Sequence, residues 1–273
     1  LIGRDAKDRW GELGAPAAAT DELNGVSQLF RVTRSADDLI EPLPADVPAK
    51  CWWAAGFPAV HVVQYPNGDL SLNMLPTMTG RDWHALGPAA AAAECRRRVF
   101  AQWHWLQSNF AEFRGFVFQW LAPMLGVRES YRVRAEYQLT EADLRAGLSG
   151  QKHADIVAIA DHPPDTHGIG AGGLGELREP YGVPFRCLVP RGWRNLLVAS
   201  RGAGFSTIAA SSCRLTRAMM QLGQAAGTAA WVAAQAGHDV ADCPIDALRS
   251  QLQRDGAQLT WPAALPARLA ERP

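Results

Sequence analysis

The chain has no surplus of either charge: lysine plus arginine and aspartate plus glutamate each number 27 in 273 residues. That balance leaves no electrostatic footprint for nucleic acid or an acidic membrane surface as the main partner. The basic run Arg96-Arg97-Arg98 reads as a solvated helix face. Cysteine is sparse and scattered. Cys51, Cys95, Cys187, Cys213 and Cys243 form no C-x-x-C pair, which excludes a disulfide scaffold or a zinc module. Long hydrophobic runs are missing too. The richest stretch, Ala218 to Gly237, is interrupted by Gln221, Gln224 and Gln235 and is too polar for a transmembrane segment. No charged-then-apolar leader opens the chain. It starts at Leu1, as a processed or truncated product would, and a soluble protein is expected, its compartment unknown with the cytoplasm slightly favoured.

A working dinucleotide fingerprint is also lacking. Gly168 to Gly173 carries the letters G-x-G-x-x-G, but Pro163-Pro164 precede it and Pro180 follows. The fingerprint requires a strand before it and a helix after it, so it is rejected as a nucleotide site. Asp161, His162, Asp165 and His167 in the same loop lack the i, i+4 spacing of helical metal ligands, and no metal is expected.

What the chain does have is 48% hydrophobic residues, enough for a substantial core in one large domain or two small ones. Val26 to Val32 largely alternates and reads as a strand with one buried face. Val60 to Tyr65, the turn Pro66-Asn67-Gly68-Asp69, and Leu70 to Met74 read as a hairpin, with His61 a structural histidine. Pro88 to about Leu125 reads as a helix pair or one broken helix. Its apolar face is Val99, Trp103, Leu106, Phe110, Phe113 and Val117, and Gly115 is the break. Tyr131 to Leu139 alternates like a strand, Thr140 with Asp143 forms a helix-capping signature, and Asp246 to Gly256 is a short closing helix.

The chain is organised around Asn195 to Gly237. Leu196 to Ala199 reads as a buried strand, Arg201-Gly202-Ala203-Gly204 as a turn, and the following alanine-rich stretch as a helix. That helix starts at Ser211 or Ser212 and stops at Gly237. Its N-terminus offers unpaired N–H groups to an anion or an electron-rich ring. Gly223 and Gly227 read as packing glycines that let another backbone or a flat ligand come close.

This segment, with its Gly223-Gln224-Ala225-Ala226-Gly227 core, resembles the C-terminal flavin-contacting part of the FAD-dependent oxidoreductase family. Ser200 stands where the family has glycine before the arginine. The stretch Gly126-Val127-Arg128-Glu129-Ser130-Tyr131-Arg132 resembles the family's Gly-x-Arg-Glu-Ser/Thr-Arg-Arg pattern, with Tyr131 replacing the first arginine of the pair. Asp165-Thr166-His167 and the run Tyr181 to Pro190 match further family elements.

The resemblance implies an α/β fold with α+β character: a mixed-sheet substrate domain over 1–190, and over 191–273 the last strand and helix of a doubly wound FAD-binding domain. It implies FAD as cofactor, contacted by Arg201, Gly202, Ser206, Ser211, Ser212, Gly223 and Gly227. His167 is the expected catalytic base. Arg128 and Arg186 are expected as fixed positive charges for an anionic substrate group or the cofactor, with structural salt bridging as their other reading. The expected activity is hydride transfer from a small-molecule substrate to flavin. The expected partner is a missing N-terminal FAD-binding segment or partner chain that brings the dinucleotide cradle. The alternative is a non-catalytic interaction fragment that needs a partner chain to form a flavin site.

Overall fold

A computed structural model describes residues 1–52, 60–74, 76–166 and 175–261. The fold is α/β, built of helices and antiparallel sheets. The strand ladders are antiparallel, which gives it its α+β character. The chain forms two compact units: Leu1–Asp21 with Glu129–Pro273, and Glu22–Arg128. The domain boundary expected at residue 190 falls inside the first, discontinuous unit.

The Glu22–Arg128 unit is a four-stranded sheet backed by a helix. Strands β1 (Phe30–Arg34), β2 (Val60–Gln64), β3 (Leu70–Met74) and β4 (Phe116–Leu121) are arranged in the order β2-β3-β1-β4. The hairpin β2-β3 forms at the expected residues, with Gly68 at φ 88 where only glycine is comfortable. Helix α2 (Gly80–Leu86) is capped by the Thr79 side chain, which accepts from Asp82 N. Helix α3 (Pro88–Asn109) opens with proline in its first turn, where no amide donor is lost. Its Val99, Trp103 and Leu106 pack on Phe30, Val32, Leu72 and Phe116 of the sheet.

The expected helix beyond Gly115 is instead strand β4. Phe116-Val117-Phe118-Gln119-Trp120-Leu121 is aromatic and β-branched, and β1 offers it a free edge to pair with. The β1 strand itself starts later than read, at Phe30; Val26 makes only an isolated bridge to Met78.

The other unit contains a short first helix α1 (Lys7–Trp10), α4 (Glu141–Gly150), β5 (Ile156–Ala160), β6 (Tyr181–Pro184), α5 (Thr207–Ser212), α6 (Thr216–Ala236) and α7 (Ile245–Arg254). Strands β5 and β6 are buried throughout and pair with each other. Ala218, Leu222, Ala225, Ala229 and Val232 of α6 are buried in the same core as β5, β6 and Leu248 and Leu252 of α7. Helix α4 has the expected capping box, Thr140 N donating to Asp143 Oδ2 at 2.9 Å. Helix α6 stops at Gly237, φ 69, as read.

Two expected strands do not form. Tyr131 to Leu139 distributes its amides among separate acceptors: Val133 N to Gly202 O at 2.8 Å, Glu136 N to Val189 O at 2.9 Å, Leu139 N to Gly204 O at 2.8 Å. Those acceptors belong to different segments, so no ladder can build. Leu196 to Ala199 is likewise unladdered, with Val198 N bonded to Leu188 O at 2.8 Å.

Candidate functional site

The turn from Ser200 to Gly204 enters α5 at a place where side chains are excluded. A Cβ on Gly204 would lie 2.3 Å from Ala135 Cβ and 2.6 Å from Tyr137 O. A Cβ on Gly202 would lie 2.9 Å from Tyr131 O. The 131–139 segment is therefore laced against the turn by backbone bonds that only glycine allows.

The helix read as one is two. Ser206, not Ser211 or Ser212, is the N-cap of α5, its Oγ accepting from Ala209 N at 3.1 Å. The chain then breaks at Cys213 to Leu215 before α6 begins at Thr216. Side chains brought from far away in sequence complete the starts of α5 and α4. Asp5 Oδ2 accepts from Thr207 N at 3.0 Å and from Arg132 Nη1 at 3.0 Å. Glu12 Oε1 accepts from Glu141 N at 2.8 Å, the first residue of α4, and also from the Ser206 hydroxyl. A carboxylate at each helix N-terminus satisfies orphan donors and meets the positive end of the dipole. Burial alone would push Asp5 up, but Arg132 outweighs it and holds the carboxyl below its ordinary range. Glu12 is pushed up by burial.

Ser206 is thus committed to the fold, and Ser211 and Ser212 are buried inside α5. Ser211 Oγ donates to Ile208 O at 2.8 Å. Ser212 gives its single proton to His162 O, so Tyr181 must be the donor in the 2.6 Å contact between their hydroxyls. Burial lowers the His162 pKa, and the nearby Arg214 charge acts in the same direction.

Unlike α5, α6 has no side-chain cap at its start: Leu215 stands at the N-cap position. A cavity of about 410 Å³ lies there, walled by Ala199, Ser200, Arg201, Arg214, Thr216, Met219 and Met220. Arg214 is set by Asp165, Nη2 to Oδ2 2.7 Å, and by Ser211 O, 3.0 Å from Nε. Its pKa is lowered, first by burial, with Arg201 pushing the same way and Asp165 opposing. The cavity therefore has two guanidinium groups, hydroxyls, two methionines and the positive end of a helix 21 residues long. Those features suit a flat, electron-rich ring with an anionic edge. Its volume suits a ring system rather than a whole dinucleotide.

Of the residues expected to contact cofactor, Arg201 lines this cavity and Gly202 adjoins it in sequence, while Ser206, Ser211 and Ser212 are held within the protein. Gly223 and Gly227 are exposed on α6, and a Cβ at either would meet nothing within 4 Å. The reading of them as packing glycines is corrected: the buried stripe of α6 runs through Ala218, Leu222, Ala225 and Ala229 instead.

Arg186 is tied to Asp155, Nε to Oδ2 2.9 Å and Nη2 to Oδ1 3.1 Å, and stands 5.3 Å over the Tyr137 ring. Burial would raise Asp155, but the Arg186 bonds prevail and hold it low. Arg128 belongs to the other unit, where its Nη1 binds Gly25 O at 2.9 Å and Ser27 Oγ at 3.0 Å. Both arginines thus make structural contacts. His167 and the glycine loop 168–173 lie outside the described residues. Among the described residues no cluster of three His, Cys, Asp or Glu side chains suits a metal, and no helix is long and apolar enough to cross a membrane.

Arg214 is the main addition to the sequence-based set, and Asp165, already read in the Asp165-Thr166-His167 element, is its partner. The signal for Arg214 was its place at the non-helical joint Cys213-Arg214-Leu215, visible only once the helix is seen to break.

The pattern of the family described as FAD dependent oxidoreductase matches residues 3–252. The chain belongs to the FAD dependent oxidoreductase family. No curated protein and no solved structure matches it. Membership in the FAD dependent oxidoreductase family gives the protein a flavin-dependent redox role. The arginine-lined cavity at the α6 N-terminus fits that cofactor's ring portion. Arg201, Arg214 and the Thr216 end of α6 would hold its electron-rich edge, with Met219 and Met220 as the apolar wall.

Proposed function

We propose that this protein is the substrate-handling and flavin-contacting part of an FAD-dependent dehydrogenase or oxidase acting on a small organic substrate. The observation that carries the reading is the cavity at the uncapped start of α6, with Arg201 and Arg214 in its wall. Bound FAD would supply the hydride acceptor. Arg201 and the α6 dipole stabilise negative charge at the ring edge, and Asp165 keeps the Arg214 guanidinium in place. His167 is the proposed base, because a neutral imidazole is a side chain that can take a substrate proton near neutral pH. Replacing it by Asn in the complete flavin-loaded enzyme is expected to slow flavin reduction about 100-fold. The dinucleotide cradle is proposed to come from a separate segment or partner chain.

Titrating riboflavin and FAD into the protein, followed by flavin fluorescence, tests both parts of this reading. The two should bind with similar affinity, and Arg201→Gln should weaken each about tenfold, the loss of one charge-assisted contact. Unchanged binding in Arg201→Gln removes the cavity from the flavin site. FAD binding far tighter than riboflavin means that a dinucleotide cradle is present in this chain.

The alternative, a non-catalytic interaction fragment, is favoured by one observation. Met220 and Trp231 are 69% and 55% exposed on α6, on the helix that carries the open Gly223 and Gly227. That reading expects no flavin binding at all.

A further inference from the structure

The sheet of the Glu22–Arg128 unit uses one face for its core, where Phe30, Val32 and Leu72 meet α3. The register of β1 on β4 is broken: Arg31 lies opposite Trp120 and Val32 opposite Phe118, so Gln119 has no partner on β1. In a regular strand Gln119 and Trp120 would point to opposite faces. Here both line one cavity of about 460 Å³, together with Arg31, Tyr65 and Ser71. Re-aiming a side chain is what a bulge does, and bulges concentrate beside binding sites.

The polar part of this cavity is set in place. Arg31 Nη2 lies 2.7 Å from Asp69 Oδ2, and its guanidinium stacks 4.4 Å above the Tyr65 ring. Asp69 is buried and fixed in turn by the Thr33 hydroxyl at 2.7 Å and the Asn67 amide at 3.0 Å. Hydrogen bonds from Thr33 and Asn67, with the charge of Arg31, hold that carboxyl below its ordinary range. The Arg31–Asp69 pair is therefore neutral as a unit, in contrast to the two arginines at the start of α6. A guanidinium still has more N–H donors than one carboxylate contact uses, the Gln119 amide offers both a donor and an acceptor, and the Ser71 hydroxyl does the same. Trp120 is 50% exposed and gives a large ring face. Neutral charge, mixed donors and acceptors, and an open indole together select a flat, uncharged, hydrogen-bonding ring over an anion or an aliphatic ligand.

We propose that this cavity binds a planar nitrogen heterocycle of purine size as a free small molecule, stacked on Trp120 with its edge hydrogen-bonded by Arg31, Gln119 and Ser71. The inference is independent of the flavin reading, since it rests on residues of the other unit.

Calorimetric titration of the full chain with inosine tests it, with ribose and benzoate as comparisons. Inosine should bind saturably and ribose should not. Trp120→Ala and, separately, Gln119→Ala should weaken inosine binding at least tenfold, whereas Arg201→Gln should leave it unchanged. Both replaced side chains are exposed, so the thermal midpoint should stay at the parent value, and either variant alone suffices if the other is poorly produced. The proposal is overturned if inosine shows no saturable binding, if both variants bind like the parent, or if ribose binds equally well. It also fails if benzoate binds more tightly than inosine, or if Arg201→Gln abolishes inosine binding, which would place the ligand in the other cavity.

Discussion

The two units hold themselves together by different means. In Glu22–Arg128 the sheet and helix are joined mainly through an apolar core, with polar groups such as Gln107 and Asp69 beside it: Phe30 stacks on Phe118 with centroids 5.7 Å apart, and Trp103 meets Phe30 edge-on at 6.1 Å. In the discontinuous unit, α6 and the β5-β6 pair make an apolar centre, but the N-terminal segment and the 131–139 segment are fastened by buried polar groups. Arg132 is the hub, bonded to Asp5, Gly3 O and Phe205 O. The contrast shows where each unit is fragile. An apolar core loses stability in proportion to the volume removed, whereas a buried charge network fails when one partner is taken away and the other is left uncompensated.

The largest expected effect sharpens that contrast. Arg132→Met removes the buried partner of Asp5, side chains that are 1% and 3% exposed in the pair, and leaves only the longer contact to the more exposed Arg9 at 3.4 Å, so it should cost about 3 to 5 kcal/mol by denaturant unfolding. Trp103→Ala should cost a similar amount, about 3 to 5 kcal/mol, chiefly through lost burial, with the indole hydrogen bond to Glu41 Oε2 at 2.6 Å lost as well. Amide exchange should separate the two: protection falls in 129–261 for the first and in 22–128 for the second. Equal loss across both regions in either variant breaks the comparison.

Next come two glycines of one stretch. Gly204→Ala drives a methyl into Ala135 and the Tyr137 carbonyl and should destabilise by about 1 to 3 kcal/mol. Gly223→Ala meets open space in the middle of α6 and should stabilise by about 0.5 to 1 kcal/mol, the helix preference for alanine. Thermal melts of the two variants should therefore shift in opposite directions; a loss in Gly223→Ala would restore the close-packing role that the structure removes.

The smallest effect is a pH dependence. The fold lowers the His162 pKa and so favours the neutral ring. That stability is fully present above the ordinary histidine value of about 6.5 and is lost as pH falls through the lower folded value. The melting midpoint should decline between about pH 7 and pH 5, and His162→Gln should flatten the decline. An identical pH profile in the variant would show that other groups carry it.

Local chemistry made part of this legible in advance. The β2-β3 hairpin declares itself through Pro66-Asn67-Gly68-Asp69, the α4 start through Thr140 and Asp143, and the α6 end through Gly237, because each depends on residues within one turn. Strand β4 was hidden because Phe113 and Val117 continue the spacing of α3, and only the free edge of β1 decides against a helix. The true start of α5 was hidden because Asp5 and Glu12, which complete it, stand near the other end of the chain. At the candidate site Arg201 could be read from its motif. Arg214 could not, and Asp165 was read within Asp165-Thr166-His167 without its partner, since their pairing requires the loop and the helix joint to be folded together.

The discontinuity of the first unit has a consequence for how the protein is made. Asp5 must wait for Thr207, 202 residues later, before its contact exists. During synthesis the whole of Glu22–Arg128 emerges in between and has its own contacts available first. The opening segment then closes a long loop whose entropic cost grows only slowly, with the logarithm of its length, and the inserted unit, already folded, leaves less free chain to close.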